Sequence, residues 1–371
     1  MTVSSLSTNS KIRVGLAGLG FGEKVHLPAL YNSEILTPVG IWHPREERLN
    51  KVLQDNNSLS GYKEWSTLTN DPNIDAVIIA TPPEHRFRLA IEALDAGKHI
   101  LLEKPIALNS DEILELQRIS IKKRLSVAVD FEYRAVPLFM KAKRIIEENL
   151  IGTPWLIKLD WIMSSRADEN RTWNWYSQKE KGGGVIGALG THAFDLLHWF
   201  FGPTIEVKGS TSTSINERFC PTDKTFKKVT SEDVCLAQLN LSDMNSHSIV
   251  PAQVTLSSIS RHGRGCWIEV YGDKGTLILG SDNQKDYVHG FGLWFAEKGK
   301  KLYSIKPDDD LNFTKTWEDG RIAPVNRIHT WWAESINSGF PVIPGLSEGL
   351  CSQKVCEKLI DSAHPSMGIK L

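Results

Sequence analysis

Glu103, Lys104 and Pro105 close a short apolar run at residues 101–105, which reads LLEKP. Near-continuous apolarity predicts a strand buried on both faces of a parallel sheet, whose carboxyl end would face a ligand crevice. A lysine at that end could hydrogen-bond a substrate oxygen and favour alkoxide character on it. The alternative is a surface lysine paired with Glu103. Pro105 stiffens the turn, and its peptide bond is a candidate for the cis form.

A second stretch with chemical potential, GGGVIGALGTHAFD, occupies residues 182–195. His192 could serve as a general acid or base, because an imidazole titrates near neutral pH. The alternative is a core or substrate-orienting histidine. Asp195 lies three residues later, where it could orient the imidazole, contact the substrate, or cap and pack the helix.

A glycine-rich turn follows the first predicted strand, in GLAGLGFGEKVHLPAL at residues 15–30. Gly18 would make the tight turn, and Gly20 would let backbone N–H groups approach a pyrophosphate at the start of a helix. The third fingerprint position holds Glu23, with Gly22 one place earlier. We expect a nucleotide site here with Gly18, Gly20, Phe21 and Gly22 as contacts; the alternative is a purely structural turn.

The ends of two further strands indicate which nucleotide binds. The second strand ends near His43 and Arg45, where an NAD site usually carries an acid for the ribose 2′-OH. A cation would instead pair with a 2′-phosphate, so we predict NADP(H) in preference to NAD(H); alternatively Arg45 is a solvated loop residue. At the third strand end, Thr81, Pro82 and His85 are predicted to border the cofactor, although His85 could merely start the next helix.

These positions need a doubly wound α/β domain, and the sequence supplies one at residues 11–130. Short strands rich in Val and Ile alternate there with helical segments. From residue 131 to 371 we predict a second α+β domain with a large, mostly antiparallel open sheet, built from alternating strands and a DKG hairpin turn. Residues 1–10 are polar and are predicted to be a disordered tail.

Bulk composition excludes several classes of function. The 371 residues carry a formal net charge of −1, which argues against nucleic-acid or anionic-membrane partners. No uninterrupted apolar run long enough for a membrane span occurs. The five cysteines are odd in number and form no CxxC pair, so reduced thiols, a cytoplasmic location and no metal site are expected.

The chain resembles the Gfo/Idh/MocA family of NAD(P)-dependent oxidoreductases over almost its whole length. The resemblance rests on the glycine turn, on DPNIDAVIIATPPEHRFRLAIEALDAGKHILLEKPIA, on FEYR at 131–134, on IGTP at 151–154 and on the GGG…H..D stretch. It implies a Rossmann domain followed by an α/β domain whose open sheet often mediates dimer or tetramer contacts. It also implies that Lys104 projects toward nicotinamide and substrate, and that Glu103 faces the cofactor.

One departure from the family pattern concerns the acid/base pair. Sugar and inositol dehydrogenases of this family commonly carry an Asp four residues before the catalytic His, and that position is Ala188 here. The family's substrate-facing edge corresponds to Tyr133 and Arg134. Trp173 and Trp175 could line the same pocket, although tryptophans more often serve cores and interfaces.

The sequence thus predicts an oxidoreductase that moves a hydride between nicotinamide and a hydroxyl or carbonyl carbon of a sugar, polyol or related small molecule. A homodimer or homotetramer is expected. The alternative is a non-catalytic NAD(P)-sensing regulatory protein on the same fold, motivated by Ala188. Reduction of a larger conjugated substrate, such as a tetrapyrrole, is a third interpretation.

Overall fold

A computed structural model describes residues 11–283 and 288–362 of the chain. The tail expected at residues 1–10 lies outside the described residues. The described chain forms two compact units, one containing residues 11–132 and 317–349 and the other containing residues 133–316 and 350–362.

The first unit is a six-stranded parallel sheet in the order β3-β2-β1-β4-β5-β6, with helices in the connections. This order is that of a doubly wound dinucleotide-binding fold, with the reversal of direction between β1 and β4. Its central strands are buried on both faces, as their continuous apolar sequence requires. The strands are β1 Ile12–Ala17, β2 Leu36–Trp42, β3 Ser60–Tyr62, β4 Ala76–Ile79, β5 His99–Leu102 and β6 Val127–Val129. The helices are α1 Leu27–Tyr31, α2 Glu46–Asp55, α3 Trp65–Thr69, α4 Pro83–Asp95 and α5 Ser110–Lys123.

A late helix, α8 (Ile322–Ser338), completes the first unit, whereas the sequence interpretation assigned all of 131–371 to a second domain. The physical reason is an apolar contact that sequence distance conceals. Val25 and Ala29 of the first helical segment pack with Ile322 and Val325 of α8 in one buried cluster. Residues 317–349 belong to the first unit and therefore interrupt the sequence of the second unit, which resumes at residue 350.

The second unit contains an eight-stranded sheet in the order β16-β15-β14-β13-β7-β12-β11-β8 and a separate two-stranded hairpin, β9-β10. Its pairings are antiparallel except for β12 with β7, so the prediction of a large, mostly antiparallel sheet is confirmed. The strands are β7 Pro154–Ile162, β8 Thr204–Ser212, β9 Glu217–Cys220, β10 Thr225–Lys228, β11 Val234–Ser242, β12 Ile249–Ser257, β13 Gly265–Gly272, β14 Gly275–Ser281, β15 Gly292–Glu297 and β16 Tyr303–Ile305. The helices of this unit are α6 Pro137–Glu147, α7 Thr191–Phe200 and α9 Leu346–Ser362, the last of which begins in the first unit.

One face of the eight-stranded sheet forms the core of the second unit. Along β11, for example, Cys235, Ala237 and Leu239 are buried, whereas Leu236 between them is half exposed. This alternation is the period-two signature of a sheet with one covered face. Apolar side chains also stand on exposed positions of β7 and β12, including Trp155 and Ile249. No helix within residues 11–283 and 288–362 has both the length and the apolar character needed to span a bilayer.

Candidate functional site

The glycine turn after β1 has the geometry of a nucleotide cradle. Gly18 adopts φ +108°, and a Cβ added there would lie 2.5 Å from the carbonyl oxygen of Ala80, so only glycine fits. A Cβ at Gly20 would meet nothing within 4 Å, which leaves the backbone open to an approaching ligand. Gly22 lets the helix pack closely on β1, since its Cβ would touch Leu16 at 3.2 Å. Gly22 thus does the packing work usually assigned to the third fingerprint glycine.

Phe21 lies between the turn and the interior of the first unit. Its ring meets the imidazole of His26 edge-to-face at 5.4 Å between centroids, and the guanidinium of Arg321 lies 5.2 Å from the ring centroid. These contacts anchor the start of the helical segment. The first turn, Gly22–His26, is π-helical and carries His26 inward.

The end of β2 presents a basic loop. His43 Nδ1 accepts a hydrogen bond from the backbone N–H of Arg45 at 3.0 Å, and the Arg45 side chain is exposed. Burial, with the nearby Arg45 charge, lowers the pKa of His43 below its ordinary value. The first acid beyond this point, Glu46, forms a 2.6 Å ion pair with Lys63. A ligand at this loop would therefore meet His43 and the cationic Arg45 before Glu46, whose carboxylate is already paired with Lys63.

The end of β4 supplies an unsatisfied polar group next to the glycine turn. The hydroxyl of Thr81 is buried and has no hydrogen-bond partner among the described residues. Pro82 is half-buried, and His85 is exposed on the first turn of α4. A buried hydroxyl without a partner in a glycine-lined crevice fits a ligand that completes its hydrogen bonding. The cradle and this hydroxyl together suit a dinucleotide cofactor.

Lys104 lies two residues after β5, half-buried at the carboxyl edge of the parallel sheet. The peptide bond between Lys104 and Pro105 is cis. Arg86, on α4, is buried beneath this turn and donates hydrogen bonds from Nη1 to the carbonyl oxygens of Glu103 and Pro105. The turn that carries Lys104 is therefore fixed on both sides of the lysine.

Glu103 has its carboxylate inside the first unit. Oε1 lies 3.0 Å from Nε2 of His26, and Oε2 accepts from the backbone N–H of Lys104 at 3.2 Å. Burial acts to raise the pKa of Glu103, but the hydrogen bond and charge of His26 and the charges of Lys104 and Arg86 outweigh it and lower the pKa. Glu103 is thus held ionised. The cofactor contact expected for Glu103 stays a prediction, since the contacts observed here are internal.

His26 connects Glu103 to a second histidine. Its Nδ1 lies 2.9 Å from Nε2 of His329 on α8, and the two rings stack at 5.2 Å between centroids. His329 is fully buried, and burial followed by the charge of His26 places its pKa well below the ordinary value. Nε2 of His26 can donate a hydrogen bond to the Glu103 carboxylate, whereas the direction of the hydrogen bond between His26 and His329 depends on their tautomers.

Two further carboxyl groups, Asp130 and Glu132, follow β6. Asp130 is fully buried, and its Oδ2 lies 3.5 Å from Nε2 of His26. Burial, together with the charges of Glu103 and Glu132, raises the pKa of Asp130 well above its ordinary value. Asp130 therefore holds its proton more tightly than an exposed carboxyl group does. Burial likewise raises the pKa of Glu132 to about 7, although the charge of Lys104 opposes the shift.

We call His26, Glu103, Asp130, Glu132 and His329 the buried polar cluster. Ligand atoms of the first three lie within 4.8 Å of one another, a spacing that a metal ion could also bridge. Hydrogen bonding explains the arrangement better, because the charges of Lys104 and Arg86 already stabilise the Glu103 carboxylate. The expected absence of a metal site stays a prediction.

In the second unit, His192 lies on the first turn of α7 and is 2% exposed. Its ring contacts Tyr133 edge-to-face at 4.9 Å between centroids, and Trp161 at 6.1 Å. These ring contacts fix the plane of the imidazole. A histidine held in this way could present a ring nitrogen to one substrate oxygen.

The segment that leads into His192 is a π-helical turn, Ile186–Gly190, which contains Ala188. The turn begins where Glu232 accepts a hydrogen bond from the backbone N–H of Ile186 at 2.9 Å. Gly184, at φ +99°, lies so close that an added Cβ would collide with the Glu232 carboxylate. The glycines before His192 therefore allow Glu232 to reach the helix start. Burial raises the pKa of Glu232 to about 7.

Arg134 and Asp195 form a bidentate ion pair inside the second unit. Nε and Nη2 of Arg134 donate to the two carboxylate oxygens of Asp195 at 2.7 and 2.6 Å. Arg134 also lies over the ring of Trp199, 5.5 Å from its centroid. The geometry suits positioning of α7 below His192, and the substrate contacts expected for both residues stay predictions.

Trp173 and Trp175 lie before the glycines and are half-buried. The indole N–H of Trp173 donates to the carbonyl oxygen of Lys228, and Lys227 lies 4.7 Å from its ring centroid. Trp175 contacts Tyr176 edge-to-face. Their roles as substrate contacts also stay predictions.

A large groove of the first unit, of about 1700 Å³, lies away from the crevice. Its lining includes Lys11, His99 and Val127, which occur where β1, β5 and β6 begin. Ligands of open α/β sheets bind at the opposite, carboxyl ends of the strands. We therefore assign the candidate site to the glycine turn and the strand ends rather than to this groove.

The chain is similar in sequence to known oxidoreductases. Residues 12–131 match the family described as "Oxidoreductase family, NAD-binding Rossmann fold", and residues 143–371 match its C-terminal alpha/beta domain. An uncharacterized oxidoreductase of Synechocystis sp. is 39% identical over 360 residues, covering 97% of this chain and 95% of the relative. The levoglucosan dehydrogenase of Pseudarthrobacter phenanthrenivorans is 31% identical over 220 residues, 56% of this chain and 55% of that protein.

Solved structures share the fold across both units. A levoglucosan dehydrogenase in complex with NADH and levoglucosan superposes with a TM-score of 0.82 at 22% identity, covering 95% of this chain and 97% of that one. A putative NADPH-dependent oxidoreductase from Desulfitobacterium hafniense gives 0.79 at 19% identity, covering 95% and 96%. With an NAD(P)-binding Rossmann sheet, the open C-terminal sheet and both matched segments in chain order, this protein belongs to the Gfo/Idh/MocA family of oxidoreductases.

Proposed function

We propose that the protein is an NADP(H)-preferring oxidoreductase that acts on a CH–OH or carbonyl carbon of a sugar, polyol or related small molecule. The observation that carries this proposal is Lys104, fixed at the carboxyl end of β5 in the sheet that holds the Gly18 turn. Relatives named as levoglucosan, D-xylose and myo-inositol dehydrogenases support the substrate class.

In this proposal each side chain has a distinct role. The nicotinamide, when bound, accepts or donates the hydride. The Lys104 ammonium hydrogen-bonds the substrate oxygen and stabilises negative charge that develops on it. His192 takes the hydroxyl proton during oxidation and returns it during reduction. Tyr133 and Trp161 keep its ring in the required plane.

Turnover by substituted proteins tests the roles of Lys104 and His192. The assay measures nicotinamide absorbance with levoglucosan, D-xylose and myo-inositol as substrates and both cofactors. Lys104→Met should lower kcat by about 10²–10³-fold, the usual loss for one electrostatic donor. His192→Asn should lower it by about 10²–10⁴-fold, as expected for a general acid or base. Lys51→Met, an exposed change on α2, is the matched control and should keep full activity. Undiminished turnover in either site variant contradicts its assigned role.

The cofactor preference rests on the loop after β2. His43 and Arg45 precede the first acid, and that acid, Glu46, is paired with Lys63. A 2′-phosphate would therefore meet a cation before a free carboxylate. The ratio of kcat/KM for NADPH over NADH should exceed one, and Arg45→Ala should reduce it. A ratio below one contradicts the preference.

A non-catalytic NAD(P)-sensing role is the second candidate, and Ala188 favours it because the carboxylate common in the family is missing there. A purified protein that binds NADPH but converts none of the sugars, polyols and carbonyl compounds in the panel would support that candidate. Homo-oligomerisation through the open sheet, and a cytoplasmic location, complete the proposal.

A further inference from the structure

Glu132 is a buried carboxyl group that the proposed chemistry does not yet use. It follows β6 by three residues, and Lys104 follows β5 by two. β5 and β6 are parallel neighbours, with Leu102 opposite Val129, so both side chains originate at the same edge of the sheet. Glu132 is only 8% exposed. A carboxyl group at this edge can be stabilised in its ionised form by the charge of Lys104.

The other groups around Glu132 belong to three neighbouring elements. Lys104 and Glu103 follow β5, Asp130 lies on the same connection as Glu132, and Arg321 precedes α8. The charges of Lys104 and Arg321 favour ionised Glu132, whereas Glu103 opposes it. The hydrogen bond and charge of His26 help to lower the pKa of Glu103, whereas burial raises the pKa of Asp130 well above its ordinary value. Glu132 is consequently the carboxyl group of the cluster whose charge changes near neutral pH.

We propose that Glu132 is a positioning residue for Lys104, and that its ionised carboxylate holds the lysine ammonium where it meets the substrate oxygen. This inference rests on the proposed oxidoreductase function. Protonation of Glu132 removes the negative charge that orients the ammonium. Activity therefore depends on the deprotonated form of Glu132.

The direction of the pH dependence follows from the ionisation. Below a pH of about 7 Glu132 becomes protonated, so kcat should fall as the pH is lowered through this range. A general acid or base such as His192 can also give a limb in a pH profile. Separate variants of the two residues are therefore needed to assign the limb.

The experiment is a pH profile of kcat, from pH 5 to pH 9, for a panel substrate that the unmodified protein turns over. Glu132→Gln should lower kcat at pH 8 by about tenfold or more and abolish the acid limb, as expected when a charged hydrogen-bond partner is lost. Glu132→Asp should retain a limb, because it restores the carboxylate. His192→Asn should be slower but keep the limb. Glu92→Gln, a change at a partly exposed carboxylate on α4 that is ion-paired with Arg88, is the control and should match the unmodified protein.

A double variant separates positioning from a general loss of structure. If Glu132 acts through Lys104, then Glu132→Gln should lower kcat little further in a Lys104→Met background. If the two defects were unrelated, the fold-losses in kcat of the single variants would multiply in the double variant. NADPH affinity, measured by fluorescence, should be unchanged in Glu132→Gln. A persistent limb in Glu132→Gln, or additive effects in the double variant, overturns the inference even when Lys104→Met is inactive. Full activity of Lys104→Met overturns the proposed function instead.

Discussion

Two buried histidines, one in each unit, have opposite surroundings. His26 ends a π-helical turn and places one ring nitrogen near Glu103 and the other near His329, at 3.0 and 2.9 Å. His192 follows a π-helical turn and packs by its ring against Tyr133 and Trp161. π-helical turns are frequent at functional sites. In this protein one such turn places His26 in a polar network, and the other places His192 among aromatic rings.

Burial alone therefore does not identify a catalytic histidine. His26 is committed to groups of its own unit, so it can secure the Lys104 turn but is a poor candidate for exchange with a substrate. The aromatic contacts of His192 restrict its orientation through the ring. A histidine of the first kind should govern stability, and one of the second kind should govern turnover.

The largest expected effect comes from replacing each histidine by leucine. His26→Leu leaves the Glu103 and Asp130 carboxyl groups buried without their partner, so it should lower the free energy of unfolding by about 3–5 kcal/mol. His192→Leu preserves an apolar shape among aromatic rings and should cost less than about 1.5 kcal/mol, while abolishing most turnover. Urea unfolding and kcat measured on both variants check the contrast. Equal losses in the free energy of unfolding would contradict the proposed difference between the two histidines.

Next in size is the ion pair beneath His192. Asp195→Ala leaves the Arg134 guanidinium buried without its carboxylate and should destabilise the protein by about 3 kcal/mol. The double variant Arg134→Met/Asp195→Leu removes both charges and should recover most of that loss. Thermal unfolding of the two proteins provides the measurement. A double variant as unstable as the single one would show that packing, rather than the unpaired charge, sets the cost.

Gly22, which begins the first π-helical turn, and Gly184, which precedes the second, should differ in their tolerance of a side chain. Gly184→Ala forces a side chain into φ +99° and against Glu232, and should cost about 2 kcal/mol or more. Gly22→Ala meets Leu16 at 3.2 Å, where a small shift suffices, and should cost less than about 1 kcal/mol. Chemical denaturation compares them. The reverse order would mean that the Glu232 contact yields more easily than the packing on β1.

The smallest effect is a pH dependence in the second unit. Glu232 binds its proton more tightly when folded, since burial raises its pKa to about 7. Its contribution to stability is therefore present at pH 5 and is lost as the pH rises to about 7. Glu232→Gln cannot ionise, so between pH 5 and pH 8 it should lose less stability than the unmodified protein, by about 1–2 kcal/mol. Thermal midpoints at both pH values test this; parallel curves would contradict it.

Much of the fold could be predicted because its signals are local. The apolar runs that became β1, β4 and β5, and the alternation along β11, give burial directly. The position of Lys104 at a strand end could be predicted from the five residues LLEKP alone. β15 and β16 could not be predicted as readily, because both are short and lie in a region rich in polar residues.

The buried polar cluster could not be predicted in the same way. His26 and His329 are 303 residues apart, and nothing local marks either as a partner of Glu103. Asp130 and Glu132 follow a predicted strand, which was a usable signal, but their altered ionisation depends on burial and on each other. Gly22 was expected to contact the cofactor, but its close packing on β1 was not predicted, because the fingerprint pattern places the packing glycine one position later.

The return of α8 to the first unit has a consequence for the order of folding. Domains generally fold as units, with N-terminal ones first during synthesis. Here the helix that covers Val25 and Ala29, and supplies His329 to His26, is made only after residue 316. The nascent N-terminal segment must therefore wait, with that apolar surface uncovered, until most of the second unit has left the ribosome. A premature stop before α8 should yield a chain that chaperones retain rather than a free nucleotide-binding domain.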